Sequence, residues 1–468
     1  MTDRDRSLLK RGIEFMLSSV KRLAVTKKDA GIVTIIVLFR FFLEFVYIYF
    51  VHAHYAYYHF GLDYNLTYWL ISYIFLFCVI WKVPGLLRTA SLADIVLALL
   101  ILMYFVPYTV LFAYSRHDMG YALFVLGYFL LMILFNQYIK INHVVIKGIH
   151  KGIGDTKYFV IIIVVLGLIR VAASGIYTGF RISFDFSEYY ELRAEAREYA
   201  LPEVIRYLLG WSTTGLTVGL VYSIIRKRKL LSVFIAICTV LAFSFNGKKS
   251  ILFSLIIAVL IGLFYDEKYI RKIPAAFTAL TGAGLLEALV LGERSFICKY
   301  FLRRILFIPP NISILHYDYF STHEYDYLRT SVMRRFGFQS PYASYGKIPR
   351  LIGSVYFGKR AMAFNANTGL CGDAFANFGY LSILFAPFVI ILTFKLIEKC
   401  ARFSDREVQV MVSIYVAYAF INGSYFTLLF TNGMLFLMIL LLFLNNRKSE
   451  QPDLVNVYRY SIDPRRGK

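Results

Sequence analysis

Motifs for metal binding and covalent catalysis are missing from this sequence. It contains no HExxH, no CxxC and no GxSxG, and a single HxD at residues 316–318 is a weak metal signal. The turn FNGKKS at 245–250 lacks the GxxxxGK[ST] spacing of a P-loop. We therefore expect neither a bound metal nor a cofactor.

Cysteines and charged residues are also scarce. Five cysteines are too few for a disulfide framework, although Cys298 and Cys371 fall in one predicted outside loop, where they could pair or remain free thiols. Only 17% of the 468 residues are charged and 59% are hydrophobic. This composition is typical of a membrane protein that crosses the bilayer several times. The charged first thirty residues lack a small-residue cleavage site after an apolar core, so no cleavable signal peptide is expected.

Long apolar segments are abundant. About twelve approach the roughly 20 residues that a bilayer-spanning helix needs. Their limits are 31–51, 67–83, 92–112, 119–138, 158–178, 204–225, 231–246, 251–265, 273–291, 380–398, 407–425 and 427–445. We expect an all-α polytopic membrane protein whose membrane domain covers 31–445, between a cytoplasmic segment at 1–30 and a basic cytoplasmic tail at 446–468.

Basic residues outnumber acidic ones by 51 to 29, which gives a formal net charge of +22. Many lie in segments that alternate with the apolar runs, including RKRK at 226–229 and the tail that ends in PRRGK. Such a distribution follows the positive-inside rule and places both termini in the cytoplasm. The excess charge is thus a topology signal, and we expect no nucleic-acid partner.

Two segments, at 179–203 and 292–379, interrupt the apolar pattern. Both are predicted to lie on the extracytoplasmic side of the membrane. The larger one holds eleven Lys or Arg against five acids and is rich in Tyr, Phe, Leu and Ile, which argues against disorder. In the smaller one, ELRAEARE has helical spacing and places Arg193 and Arg197 one turn apart. Cations on the side where they are normally disfavoured indicate an anionic ligand.

The segment 299–327 combines groups suited to transfer from a phosphate leaving group. Arg303 and Arg304 can grip phosphate oxygens, and His316 and Asp318 can accept a proton. The alternative is that the arginines anchor at lipid headgroups and the other groups are ordinary solvated loop residues.

Charged residues also occur within or between the predicted spans. Arg40 and Glu44 are spaced to neutralise each other on one helix face, whereas Arg170 has no partner in its own helix. Lys248 and Lys249 lie between two short helices, where they either face a watery anion site or form a simple tight turn.

The stretch FNANTGLCGDAFANFG at 364–379 is unexpectedly polar for a membrane linker. Its three glycines permit backbone conformations that other residues avoid. We interpret it as a polar floor beneath a sugar-binding cleft, the alternative being a helix cap and turn. The predicted glycan-binding residues are Asn365, Asn367, Thr368, Asp373 and Asn377, with the rings of Tyr317 and Tyr319.

Three stretches resemble the Wzy-type polymerases of O-antigen and capsule repeat units: NANTGLCGDAFANFGYLSILF, RRILFIPPNISILHYDYF and LRAEAREYALP. The resemblance covers 179–398 and implies a GT-C-like integral membrane glycosyltransferase of lipopolysaccharide or capsule biosynthesis. Such an enzyme transfers a growing glycan from undecaprenyl pyrophosphate to the next lipid-linked repeat unit, on the outer side of the bacterial cytoplasmic (inner) membrane. A chain-length regulator would be a further partner, besides the membrane lipids.

On this interpretation the transfer is metal-independent. Asp318 is the first candidate for the base, followed by His316 and Glu195. The predicted pyrophosphate ligands are Arg193, Arg197, Arg303, Arg304, Arg170, Lys248 and Lys249. An O-antigen ligase of similar fold, or a flippase for lipid-linked oligosaccharides, remains the alternative.

Overall fold

The chain is helical throughout the part that the structure describes. This computed structural model describes residues 27–141, 156–180, 191, 195–196, 198–247, 249–358 and 365–444. Within these ranges there is no β-strand.

Eighteen α-helices are described, of which many are joined end to end. They are α1 Lys27–Val46, α2 Ala53–Tyr55, α3 Leu66–Ile80, α4 Val83–Thr89, α5 Leu92–Leu100, α6 Val106–Tyr114, α7 Met119–Tyr138, α8 Thr156–Thr178, α9 Glu203–Ile225, α10 Lys229–Asn246, α11 Lys249–Phe264, α12 Ile273–Leu291, α13 Ile308–Phe320, α14 Ile348–Phe357, α15 Leu370–Phe378, α16 Ala386–Cys400, α17 Arg406–Asn422 and α18 Met434–Leu442. π-Helical turns occur at Tyr47–His52, Ile101–Phe105, Cys298–Phe307 and Thr427–Thr431.

Seven continuous helices are long and apolar enough to cross a membrane, which confirms a multi-pass helical membrane protein. They are Lys28–Tyr58, Leu66–Thr89, Leu92–Tyr114, Met119–Tyr138, Thr156–Thr178, Glu203–Ile225 and Glu267–Arg294. The pair Leu370–Leu384 and Ala386–Cys400, bent by 93°, is an eighth if it counts as one span. All twelve predicted segments contain helix, but several are short or broken: Lys229–Phe243 and Ile251–Phe264 fall below a full span.

The helix Leu92–Tyr114 forms the centre of the bundle. Its most apolar 18-residue window is completely buried. A helix that is apolar on every side gains from burial on every side, which explains its position. Ser91 caps its start by accepting a hydrogen bond from the Asp94 N–H.

The charges of α1 are neutralised inside the bundle. Arg40 and Glu44 form an ion pair and are 0% and 5% exposed. Glu44 also accepts hydrogen bonds from Tyr73 (2.9 Å) and Tyr114 (3.0 Å), and Arg40 donates one to Thr109 (3.0 Å). The predicted pairing is confirmed, and it links α1 to α3 and α6.

Contacts of short connections with α13 and α14 define one end of the bundle. Arg116 pairs with Asp318, and the Nε2 atom of His59 lies 2.8 Å from the Tyr356 carbonyl oxygen. His54 lies 3.3 Å from Glu293, so the end of α12 is also here. We call this the His59 end.

The predicted outside loop 292–379 is largely built into the bundle. α13 runs inside it, and Ser313 accepts a 2.6 Å hydrogen bond from Tyr104 of the central helix. The turn that follows α13 is fixed to α15, because the Asp326 N–H donates to the Ala376 carbonyl at 3.0 Å. The aromatic and aliphatic residues of this segment therefore fill the core.

Candidate functional site

Asp318 lies where a buried helix reaches the surface. It is two residues before the end of α13, and its side chain is 26% exposed. Its Oδ2 atom is 3.1 Å from Nη1 of Arg116, which belongs to the short connection between Tyr114 and Met119. A partly exposed carboxylate beside a cation is a suitable acid–base group.

The neighbouring carboxylate, Asp118, has a structural role. Its Oδ1 atom caps α7 by accepting from the Tyr121 N–H at 2.7 Å and also accepts from the Tyr317 hydroxyl at 3.0 Å. The Tyr317 hydroxyl is 3.1 Å from that of Tyr380. Asp118 is thus occupied by protein donors, whereas Asp318 has Arg116 as its partner among the described residues.

Burial raises the pKa of Asp318, and the negative charge of Asp118 raises it further. Arg116 opposes this shift because its positive charge favours the carboxylate, and His59 acts in the same direction. The net pKa is above the ordinary value for aspartate. A carboxylate that holds a proton more tightly is a stronger base toward a sugar hydroxyl.

Aromatic residues flank Asp318 in the chain, and His59 and Tyr356 lie near it in space. The His59 ring is edge-on to Tyr356 at 5.4 Å, and Tyr319 stacks on His323 at 4.0 Å. Tyr317 stacks on Tyr121 at 4.5 Å. Tyr317 and Tyr121 are 7% and 1% exposed, so the rings available to the apolar faces of sugars are those of Tyr319, Tyr356, His59 and His323.

The sequence around α13 explains its position. Pro309 and Pro310 lack the N–H groups that would bond to earlier carbonyls, and a π-helical stretch directly precedes them. Further along, Ser313 contacts the Tyr121 hydroxyl at 2.6 Å, and a Cβ on Gly372 would lie 2.6 Å from the Ser313 Oγ atom. This close packing against α15 fixes α13, whose last turn carries Asp318 at one end of the bundle.

A second cationic group lies at the start of α14. Lys347 and Arg350 are one turn apart there, and removal from water together with Arg350 and Arg206 lowers the pKa of Lys347. Arg206 donates to a backbone carbonyl and Arg335 to the Tyr207 hydroxyl at 3.0 Å, neither to an acid. Within the described residues none of these four cations forms an ion pair with a carboxylate, and such a group of cations is suited to a polyanion.

Arg303 is a buried cation without an ion pair or hydrogen bond among the described residues. It is 6% exposed, its guanidinium lies 4.0 Å from the centre of the Tyr55 ring, and its Nε atom has no partner. Burial lowers its pKa. Arg304 is exposed, so of the two predicted phosphate ligands here only Arg303 faces the interior.

Two predicted glycan ligands instead hold the protein together. The Oδ2 atom of Asp373 accepts from the Tyr425 N–H at 2.9 Å, and Oδ1 of Asn377 accepts from the Leu328 N–H at 2.9 Å. The alternative interpretation, in which polar residues satisfy local backbone groups, therefore fits both side chains.

The remaining residues of this stretch differ in accessibility. Asn365 and Asn367 are exposed, whereas Thr368 is 3% exposed. Tyr317 is 7% exposed and belongs to the hydrophobic core, whereas Tyr319 is partly exposed. Asn365 and Asn367 are thus the exposed members of the predicted set, and their role as glycan ligands stays a prediction.

The structure requires glycine at these three positions for two different reasons. Gly379 has a φ of +57°, as predicted for a residue with unusual backbone freedom. At Gly369 and Gly372 the reason is close packing, because a Cβ on Gly369 would lie 2.0 Å from the Phe420 carbonyl oxygen.

The other candidate bases are less suited than Asp318. His316 is 2% exposed, its Nδ1 atom is 2.9 Å from the Ile312 carbonyl oxygen, and burial lowers its pKa to about 4. It therefore stays neutral and cannot reach a substrate. Glu195 accepts a hydrogen bond from Tyr199 at 3.1 Å, and Tyr199 contacts Tyr177 of α8.

Arg170 of α8 is buried against α9. It donates to the Ser212 and Thr213 hydroxyls at 2.7 and 2.9 Å, and its Nη1 atom has no partner. Four predicted ligands cannot be placed: Arg193, Arg197 and Lys248 lie outside the described residues, as does the side chain of Lys249.

Cys298 and Cys371 are both buried and free.

Sequence reasoning missed several residues that lie near Asp318. Arg116, Asp118 and His59 lie in short connections that resemble ordinary loops, and only their contacts with α13 show a common site. The i, i+3 spacing of Lys347 and Arg350 is a signal that was available. No group of three or more His, Cys, Asp or Glu side chains in the described ranges could hold a metal ion.

No protein-family model, curated protein or solved structure matches this chain.

Proposed function

We propose that this protein is a GT-C-like membrane glycosyltransferase with about twelve membrane segments that polymerises lipid-linked oligosaccharide repeat units. The observation that carries the proposal is Asp318, a partly exposed carboxylate paired with Arg116 at the rim of an apolar helical bundle. An apolar bundle suits a lipid-bound substrate, and aromatic rings beside the carboxylate suit its sugars.

In the proposed reaction Asp318 accepts the proton of an acceptor hydroxyl. The hydroxyl oxygen forms a bond to the anomeric carbon of the donor glycan as the bond from that carbon to the diphosphate oxygen breaks. The leaving undecaprenyl diphosphate keeps the electron pair of that bond. Arg116 is near enough to Asp318 to stabilise the charge that develops on the leaving oxygen.

The cationic group at the start of α14 supports an anionic lipid substrate. Lys347 and Arg350 stand at one end of α14, and Tyr356, beside Asp318, stands near the other end, about 13 Å away along the helix. An anion attracted to these cations is brought close to the exposed side of Asp318.

The test is polymerisation by the purified protein in lipid nanodiscs, with repeat unit linked to undecaprenyl diphosphate from the source bacterium as the probe. We expect a ladder of products on a gel. Asp318→Asn should abolish the ladder, because an amide cannot accept the proton, while Glu324→Gln, an exposed carboxylate on the same segment, should leave it intact.

Other outcomes would favour other functions. Transfer of glycan only onto a second kind of acceptor would show a ligase. Movement of the lipid-linked unit across vesicles without bond formation would show a flippase. A full ladder from a folded Asp318→Asn protein would overturn the assignment of the base.

A further inference from the structure

The cationic group at the start of α14 brings together side chains from three parts of the chain. Arg206 of α9 lies close enough to Lys347 of α14 to disfavour its charge, and Arg350 does the same from one turn further along α14. Arg335 donates a hydrogen bond at 3.0 Å to the hydroxyl of Tyr207, the residue after Arg206. All four cations are exposed, so a ligand can reach them without entering a cavity.

Two exposed amides lie beside these cations. The Ala366 N–H donates at 2.9 Å to the carbonyl oxygen of Pro349, in the first turn of α14. The residues on either side of Ala366 are Asn365 and Asn367, and both are exposed. Tyr345, just before α14, is 38% exposed. Amide groups and phenol hydroxyls both donate and accept hydrogen bonds, as sugar hydroxyls do.

α14 lies along the His59 end of the bundle. Near its last residue the Tyr356 carbonyl oxygen is 2.8 Å from Nε2 of His59, and its start lies close to Arg206 in the first turn of α9. Leu351 and Ile352 are buried, whereas the cations are on the exposed side of the helix. A helix that joins the ends of two spanning helices presents its exposed side to water, which favours a water-soluble ligand.

The leaving diphosphate is not the anion that these cations meet. In the proposed reaction its oxygen is bonded to the carbon that the acceptor hydroxyl attacks, so it lies next to Asp318. α14 extends about 13 Å from Lys347 to Tyr356, which is the residue near Asp318. The cations therefore meet a part of the substrate that is remote from the reacting bond. The neighbouring amides favour the glycan, because an ionised phosphate only accepts hydrogen bonds.

We propose that the cationic group at the start of α14 binds the carboxylates of an acidic glycan, so that the repeat unit contains a uronic acid. This inference rests on the proposed function and names the class of its substrate. Lys347 and Arg350 pair with sugar carboxylates, for which guanidinium and ammonium groups are the usual protein partners. Asn365 and Asn367 bond to hydroxyl groups of the same glycan.

The test is binding of a short oligogalacturonate, and of the same oligosaccharide with its carboxyl groups reduced to alcohols, to the full-length protein in nanodiscs of zwitterionic lipid. Wild type should bind the acidic form about 10-fold or more tightly than the neutral form, the value of a charge-assisted hydrogen bond. Lys347→Gln with Arg350→Gln should remove this preference and leave affinity for the neutral form unchanged. The matched double variant Arg294→Gln with Arg334→Gln removes two exposed arginines outside the group and should keep the preference.

A further variant separates the role of the amides from that of the cations. Asn367→Ala should weaken binding of the acidic and the neutral form by the same factor, because the amide contacts hydroxyl groups that both forms carry. Loss of affinity for the acidic form alone would show that the amide does not contact the sugar hydroxyls.

Three results would overturn the inference. Equal affinity for the two oligosaccharides, or no binding of either, shows that no uronate is recognised. Equal loss of affinity in the two double variants shows attraction by net charge alone. Displacement of the oligogalacturonate by inorganic diphosphate, at concentrations at which free galacturonate has no effect, assigns the cations to a lipid phosphate. The expected binding pattern in a protein that forms no polymer would instead refute the proposed function and keep the acidic-glycan site.

Discussion

Replacement of Arg116 by glutamine should move the pH dependence of glycan transfer. The ion pair with Asp318 favours the carboxylate, so its loss raises the pKa of Asp318, which burial and Asp118 already hold above the ordinary value. A base works only when it is deprotonated, and activity falls as the pH drops through its pKa. The acidic limb of the rate profile should therefore shift to higher pH.

The size of the shift follows from the geometry. Unit charges about 4 Å apart interact by about 1 kcal/mol in water and about 4 kcal/mol at an effective dielectric constant near 20. The side chains of Arg116 and Asp318 are 35% and 26% exposed, which favours the lower part of this range. Since about 1.4 kcal/mol corresponds to one pKa unit, we expect a shift of about one unit.

The assay is the initial rate of polymer formation between about pH 5 and 9, with donor and acceptor saturating. Arg116→Lys should keep the wild-type limb, because it retains the positive charge. An acidic limb that stays in place in Arg116→Gln, in a protein that still forms polymer, would refute Asp318 as the titrating base.

Two further substitutions test the interior. Glu44→Gln leaves Arg40 buried without its counter-charge and should lower the free energy of unfolding by about 3–5 kcal/mol, measured as a lower melting temperature and yield. An unchanged melting temperature would show that the other partners of Arg40 stabilise its charge. Asn377→Ala removes the acceptor of the Leu328 N–H and should speed hydrogen exchange there with little change in KM, whereas a raised KM with unchanged exchange would restore Asn377 as a glycan ligand.

The sequence by itself determined the membrane class and the positions of most long helices, but not α13, α14 and α15, which lie inside the predicted outside loop 292–379. Apolar runs near bilayer length have few alternatives to helix, because every backbone N–H and C=O in lipid must be paired internally. The same local logic predicted the Arg40 and Glu44 pair, since i, i+4 spacing brings two side chains together on any helix. Asp318, too, was recognisable as a candidate from its chemical neighbours in the chain.

Only the tertiary structure decided which polar residues are available to a substrate. Asp373 and Asn377 resembled ligands but bond to the backbone of Tyr425 and Leu328, which are distant in sequence. His316, two residues from Asp318, points into the core, because neighbouring positions on a helix face different directions. Arg116 became part of the site by contacting Asp318, which is 202 residues away in the chain (318 minus 116). No local sequence pattern encodes such a contact.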